Sequence, residues 1–457
     1  MENKVSRLKK EEIILRGIKL INVIIMSGFF AAVWYLYYAE RAVVQYYNKG
    51  NWLVVFIFAI SYFILGRVYD AFQISLNKIS ETVYSQGLAL VIANGIIYIM
   101  IWLLSLYRPN VFPLLITLLC QIFCSIIWTA LARKWYFATF QPKKTAIVFD
   151  MREGLEKLVT EYGLDKKYEV TKTMPVEECL KDLNTLNDFE AIFISGVHSR
   201  ERNIILKHCM YRGICTYVIP RVGDVIMSSA YKLHMFHLPM LRVERYKPVP
   251  EYLFMKRAFD LLVSIVALII TSPIMLVTAV AIKTTDGGPV FYKQCRLTKD
   301  GRKFNVLKFR SMRVDAEKDG VARLSTGVKD NRVTPVGRVI RKVRIDELPQ
   351  LFNIISGDMS IVGPRPERPE IAAQYEEVMP EFALRLQAKA GLTGYAQVYG
   401  KYNTDPYDKL QMDLMYIASP SFIEDLRICF ATVKILFIPE STEGIQENAT
   451  TAMNRKE

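Results

Sequence analysis

Residues 258–282 read Ala258-Phe-Asp-Leu-Leu-Val-Ser-Ile-Val-Ala-Leu-Ile-Ile-Thr-Ser-Pro-Ile-Met-Leu-Val-Thr-Ala-Val-Ala-Ile282. The run is long enough to cross the roughly 30 Å of bilayer hydrocarbon. Two features argue against a simple crossing. Ser272-Pro273 sits inside it, and a proline there removes a helix hydrogen bond and kinks the helix. Cations flank both ends: Arg245, Lys247, Lys256 and Arg257 before, and Lys283, Lys293 and Arg296 after. Positive charge marks the cytoplasmic side, so both ends are expected on the same side. The expectation is a bent helix over 253–282 that dips into one leaflet and returns. The alternative is an ordinary fifth span, which would place everything after 282 outside.

Working back toward the N-terminus, four apolar stretches fall near 18–38, 52–66, 86–106 and 111–132. Each approaches the roughly 20 residues a spanning helix needs. Trp34, Tyr35, Tyr37, Tyr38, Trp52, Trp102, Tyr107, Trp128 and Trp135 cluster near their ends, as interfacial anchors do. Lys4, Arg7, Lys9, Lys10, Arg16 and Lys19 precede the first stretch, and Arg133, Lys134, Lys143 and Lys144 follow the fourth. An even number of spans with both basic ends inside is self-consistent. The first stretch is too long, and starts too late, for a cleaved signal peptide. A four-helix transmembrane domain over 1–142 is expected.

Residues 143–243 alternate in type. Thr145–Phe149, Ala191–Ser195 and Cys215–Ile219 read as strands, and Glu153–Tyr162 and Arg202–Tyr211 as helices. That alternation predicts a Rossmann-like α/β domain with a parallel sheet. Its first strand-to-helix turn lacks G-x-G-x-x-G, so a bound dinucleotide is not expected. The four histidines are His198, His208, His234 and His237. With Cys209 and Cys215 they fit no common zinc spacing. No histidine follows residue 237, so later chemistry must run on carboxylates, Arg and Lys.

Residues 244–440 are basic and mixed. Lys303–Arg310 alternates as a strand does, and Asp346–Ile355 reads as a helix with Asp346 as its N-cap. Lys308, Arg310 and Arg313 stand close together, then Arg338, Arg341, Lys342 and Arg344, then Arg365 between two prolines. Such cations suit a diphosphate, which Arg grips bidentately, or a face against anionic lipid. Asp346-Glu347 is either a helix cap or a nucleophile beside a Mg²⁺ ligand at a helix N-terminus. Ile423, Leu426, Phe430, Val433 and Phe437 recur at helical spacing. Residues 441–457 read as a disordered tail.

The stretch from about 252 to 437 resembles the bacterial sugar transferase family, the polyprenyl-phosphate hexose-1-phosphate transferases. The resemblance rests on Lys256-Arg257-Ala-Phe-Asp260, Ser272-Pro273, Gly288-Pro289-Val-Phe-Tyr-Lys-Gln294 and Lys308-Phe-Arg-Ser-Met312. It continues through Asp346-Glu-Leu-Pro-Gln-Leu351, Gly357-Asp-Met-Ser360, Gly363-Pro-Arg-Pro366 and Gly391-Leu-Thr-Gly394. The four stretches and the α/β region resemble the family's long form. The resemblance implies a small α+β catalytic domain with a re-entrant membrane helix broken at Ser272-Pro273. It implies that Asp346 attacks the sugar-bearing phosphate of a UDP-hexose, expelling UMP and forming a phosphosugar–aspartyl enzyme, and that Glu347 holds Mg²⁺. Undecaprenyl phosphate would then take the sugar phosphate in a ping-pong reaction that starts an exopolysaccharide, capsule or O-antigen repeat unit. Lys308, Arg310, Arg341 and Arg365 would bind phosphates or order the site. The chain departs from the family at Tyr395, where Trp is usual, and at Lys401, where Arg is usual; Lys keeps the charge and loses the fork. The implied place is the bacterial cytoplasmic (inner) membrane, multi-pass, with the catalytic domain on the cytoplasmic face, amid membrane lipids and as a possible homodimer.

Composition fits this picture. The 457 residues are 51% hydrophobic and 23% charged, with a net charge of +14, so disorder is excluded. The basic excess points to membrane surfaces and phosphates, and the apolar runs argue against a nucleic-acid partner. The seven scattered cysteines form no disulfide framework and suit a reducing compartment. A membrane-bound nucleotide-sugar dehydratase or epimerase would need the missing Gly-rich loop. A metal-dependent glycosyltransferase would usually carry Asp-x-Asp, which the chain lacks. A regulator of polysaccharide assembly is the non-enzymatic alternative.

Overall fold

A computed structural model of the chain describes residues 2–41, 48–105, 107–150, 154–314, 332–400 and 404–436. The chain divides into two compact units, Met1–Ile219 and Pro220–Glu457. Lys401 and the stretch 437–457 lie outside the described residues.

The first unit opens with four long helices: α1 (Glu2–Val33), α2 (Asn48–Val68), α3 (Ile79–Leu103) and α4 (Phe112–Thr139). A π-helical turn, Trp34–Tyr38, continues α1. Five helical segments among the described residues are long and apolar enough to cross a membrane. Four are here: Glu11–Tyr38, Lys49–Val68, Ile79–Leu103 and Phe112–Thr139. The fifth, Pro250–Thr285, lies in the second unit. The chain is therefore a membrane protein, and each apolar stretch in the sequence coincides with one helix. Their interior is partly polar. Tyr62 donates to Asn22 at 2.8 Å, Asn94 to Gln121 at 2.9 Å, and Gln121 to the Met26 carbonyl at 2.9 Å. In hydrocarbon such bonds join helices that apolar contact alone would not select.

The α/β part comprises β1 (Lys143–Phe149), α5 (Leu155–Glu161), β2 (Tyr168–Pro175), α6 (Val176–Lys181), β3 (Ala191–Ser195), α7 (Ser199–Arg212) and β4 (Cys215–Val218). The four strands form one parallel sheet in the order β2-β1-β3-β4. Both faces of the central strands are covered, as a parallel sheet requires. Ala146, Val148, Ile192 and Ile194 pack with residues of α6 and α7, and Ala191 with Val159 of α5. Strand β2 is the one the sequence hides: at the sheet edge it alternates exposed polar residues with few apolar ones.

The second unit begins with α8 (Val222–Ser228), whose Val222 and Val225 join its core. A hairpin, β5 (Tyr231–Met235) and β6 (Leu238–Arg242), precedes α9 (Pro250–Asp286). Then follow β7 (Phe291–Leu297), β8 (Lys303–Phe309), α10 (Pro335–Lys342), α11 (Gln350–Ser356), β9 (Met359–Val362), α12 (Pro369–Val378), β10 (Ala390–Thr393), α13 (Tyr395–Tyr399), α14 (Pro406–Ala418) and α15 (Phe422–Leu436). Strands β7 and β8 are antiparallel, and β9 and β10 are parallel.

Helix α9 is anchored toward both ends. Arg257 donates to the carbonyls of Ile354 and Ile355 at 2.7 and 2.8 Å, holding the C-terminal end of α11. Asp260 accepts the Ile361 N–H at 3.0 Å. Farther along, Met275 and Ile282 pack with Phe309 and Ile340. Between these anchors Pro273 has no N–H to give the Ile269 carbonyl. The Ser272 hydroxyl donates to that carbonyl instead, at 2.9 Å.

Candidate active site

Two acidic side chains lie on a short turn between α10 and α11. Arg344 has a left-handed backbone (φ 56°), and Ile345–Glu347 forms a single 3-10 turn. The expected N-cap role of Asp346 is not what the structure shows. Pro349 lacks an N–H, so the Ile345 carbonyl is taken by Leu348 at 3.1 Å, and α11 starts only at Gln350. Asp346 and Glu347 therefore sit ahead of the helix, with their side chains free of capping duty.

Lys308, near the end of β8, places its Nζ 3.5 Å from Glu347 Oε1. Arg365 reaches the same oxygen through Nη2 at 3.1 Å. Burial alone would raise the Glu347 pKa, but Arg365, Lys308 and Arg344 outweigh it and hold this carboxylate well below its ordinary range. Asp346 moves the other way. Burial and the negative charge of Glu347 push it above the usual aspartate range, against the pull of Lys308, Arg341 and Arg365. Two adjacent carboxylates thus have opposite character: one held toward its anion, and one that ionises less readily and keeps more basicity. Burial also lowers the pKa of Lys308.

Arg365 is delivered by a loop whose backbone admits no side chains where it crosses its neighbour. A Cβ on Gly363 would overlap the Lys389 carbonyl, one on Gly391 the Gly363 N, and one on Gly394 the Gly363 carbonyl. These glycines let β9 and β10 close on each other immediately before Pro364-Arg365-Pro366.

Of the residues singled out from sequence, the fold brings together Asp346, Glu347, Lys308 and Arg365, with Arg341 near enough to act on Asp346. Arg310 is 6% exposed, and its guanidinium donates to the carbonyls of Pro289 and Met312, clasping the chain on either side of β7–β8. Ser272 and Pro273 lie within α9. Tyr395 packs against the core and meets Tyr399 with the rings tilted at 47°, centroids 4.6 Å apart. Sequence reading missed a further charged group. Arg296 bonds Glu367 at 3.2 Å and the Pro366 carbonyl at 3.1 Å. Arg385 pairs with Asp413 at 2.6 Å. Proximity to Arg365 is their only distinguishing mark, and spacing along the chain does not reveal it.

No group of three or more His, Cys, Asp or Glu side chains suited to a metal occurs among the described residues. Mg²⁺ is usually held by one or two carboxylates together with substrate phosphates and water, and Glu347, adjacent to Asp346, is a carboxylate that could hold it.

The model of the bacterial sugar transferase family matches residues 251–439, which contain this whole arrangement. An exopolysaccharide production protein of Rhizobium leguminosarum bv. phaseoli is 40% identical over 201 residues, covering 42% of this chain and 98% of that protein. The chain belongs to the bacterial sugar transferase family. An Aeromonas hydrophila UDP-N-acetylgalactosamine-undecaprenyl-phosphate N-acetylgalactosaminephosphotransferase is 38% identical over 234 residues, covering 50% of this chain and 54% of that protein. A Salmonella typhimurium undecaprenyl-phosphate galactose phosphotransferase is 32% identical over 280 residues, covering 57% of each. The chain therefore spans little more than half the length of these two relatives.

Proposed function

We propose that this protein transfers a hexose-1-phosphate from a UDP-sugar to undecaprenyl phosphate, releasing UMP, and so starts a polysaccharide repeat unit. The observation that carries the reading is the pairing of Asp346, pushed toward basicity, with Glu347, held anionic by Arg365 and Lys308. A carboxylate oxygen of Asp346 bonds to the sugar-bearing phosphorus. The diphosphate P–O bond breaks, and UMP leaves with the electron pair. An oxygen of undecaprenyl phosphate then attacks the same phosphorus and displaces the Asp346 carboxylate. One diphosphate is consumed and one formed, so no separate energy source is required. Arg365, Lys308 and Arg341 meet the charge on the transferring phosphoryl group. Mg²⁺ bound through Glu347 would neutralise diphosphate charge. Lys401 is proposed as a further phosphate contact on the resemblance alone.

A re-entrant α9 belongs to the same reading. If straight, its 37 residues would extend about 55 Å at about 1.5 Å per residue. Yet Arg257 and Asp260 on one side of Pro273, and Met275 and Ile282 on the other, hold to neighbouring parts of one unit. This favours both ends on one membrane face, the cytoplasmic face by the flanking cations, with the carboxylates at headgroup depth. Curated relatives name N-acetylgalactosamine, glucose and galactose among their sugars, so the sugar is assigned here only as a hexose. The deciding experiment gives purified protein undecaprenyl phosphate and a panel of UDP-sugars. Release of UMP supports the proposal; release of UDP, or of no nucleotide, rejects it.

A further inference from the structure

The loop that carries Arg365 is held by its carbonyls. Pro364 O accepts from Gly391 N–H at 2.9 Å, and Glu367 O from Leu297 N–H at 3.0 Å. Pro366 O accepts from Arg296 at 3.1 Å, and Arg365 O from Arg385 Nη2 at 2.9 Å. Two of these donors are backbone groups. Arg296 is balanced by Glu367, which belongs to the loop itself. Arg385 is balanced from outside the loop by Asp413 of α14.

The Arg385–Asp413 pair is almost dry: its side chains are 8% and 2% exposed. Burying two charges costs so much desolvation that apolar replacements are often as stable or more so. Stability is therefore a poor account of this pair, and geometry a better one. Helix α14 also meets the preceding strand. Tyr416 stands 3.4 Å from the Val362 carbonyl and donates to Asp425 at 2.7 Å. One helix thus supports the chain both at the end of β9 and at Arg365.

We propose that Asp413 is a positioning residue for the transfer reaction: through Arg385 it fixes the backbone of Arg365 and hence the reach of that guanidinium to Glu347. The proposal rests on the reading of Asp346 and Glu347 as the reacting site. Asp413 touches neither carboxylate; it acts by keeping Arg385 from swinging off the Arg365 carbonyl.

The test is a double-mutant cycle on the full chain in lipid nanodiscs. UMP release is read with undecaprenyl phosphate and whichever of UDP-glucose, UDP-galactose or their N-acetylated forms the wild type turns over fastest. Asp413→Asn should lower turnover about 10- to 100-fold, the scale of a misplaced catalytic contact. In an Arg365→Lys background the same change should cost no more than about twofold, because its target has already been altered. Unchanged turnover in Asp413→Asn, or an equal loss in both backgrounds, overturns the proposal. If Asp413→Asn fails to fold, Arg385→Lys takes its place in the cycle, keeping the charge and losing the fork. Wild-type protein that releases no UMP overturns the functional reading and this proposal with it. Wild-type UMP release with additive losses overturns this proposal alone.

Discussion

Arg365 Nη2 lies 3.1 Å from Glu347 Oε1, and this contact joins two segments that the sequence presents as unrelated motifs. It makes Glu347 the fixed anion of the site and leaves Asp346 as the group whose charge can vary.

Asp346→Asn and Glu347→Gln should each abolish UMP release. Ionising Asp346 opposes folding, because its pKa is higher in the folded chain than in the unfolded one. Any stability this shift gives is present at low pH and lost as pH rises through the raised value. The Asn variant should therefore melt no lower than wild type at neutral pH, as read by thermal unfolding. With UDP-sugar and no acceptor, intact-mass measurement should find wild type heavier by one hexose phosphate and the Asn variant unmodified. Turnover like wild type in either variant would falsify the assignment.

Acid should inactivate this protein early. In the proposed reaction Asp346 attacks as the anion, so turnover should fall as pH drops through its raised pKa. The acid limb of the rate profile is expected above the ordinary aspartate value of about 3.9. Removing the opposing cation with Lys308→Met should move the limb to still higher pH in the residual activity. A limb at or below the ordinary value shows that Asp346 is not held above it in the working, Mg²⁺-bound protein.

Chelation should stop the reaction reversibly. On the proposed reading Mg²⁺ is held by Glu347 together with substrate phosphates, so its binding without substrate is weak. EDTA should remove UMP release and added Mg²⁺ restore it, while the melting temperature without substrate barely changes. Full activity in excess EDTA would reject Glu347 as a metal ligand.

Gly394→Ala should disturb the site without touching it. The new Cβ would overlap the Gly363 carbonyl, and overpacking of this kind costs about 1–3 kcal/mol. The expected result is a lower melting temperature together with reduced turnover, since Gly363 leads directly into Arg365. A variant with wild-type melting and turnover shows that the strands have slack here.

Topology can be read from a native thiol. Cys295 is exposed on β7, shortly after α9. In a variant whose other six cysteines are Ser, a membrane-impermeant maleimide should leave it unlabelled in intact cells and label it after permeabilisation. Labelling of Cys295 in intact cells would make α9 an ordinary span.

The sequence by itself determined the positions of the apolar helices, because hydrocarbon demands a length and a composition that local residues either have or lack. It also determined the family, since ordered motifs from Lys256 to Gly394 identify it without any geometry. It did not determine what each charge does. Asp346 read as either a helix cap or a nucleophile, and Pro349, with a 3-10 turn ahead of α11, removes the cap. Arg310 read as one cation of a phosphate-suited cluster; its contacts to the Pro289 and Met312 carbonyls came only with the fold. Arg385 and Asp413 carried no signal at all. Such contacts are a matter of packing, because a charged side chain acts through the partners and the dielectric around it, and residues distant in sequence supply both.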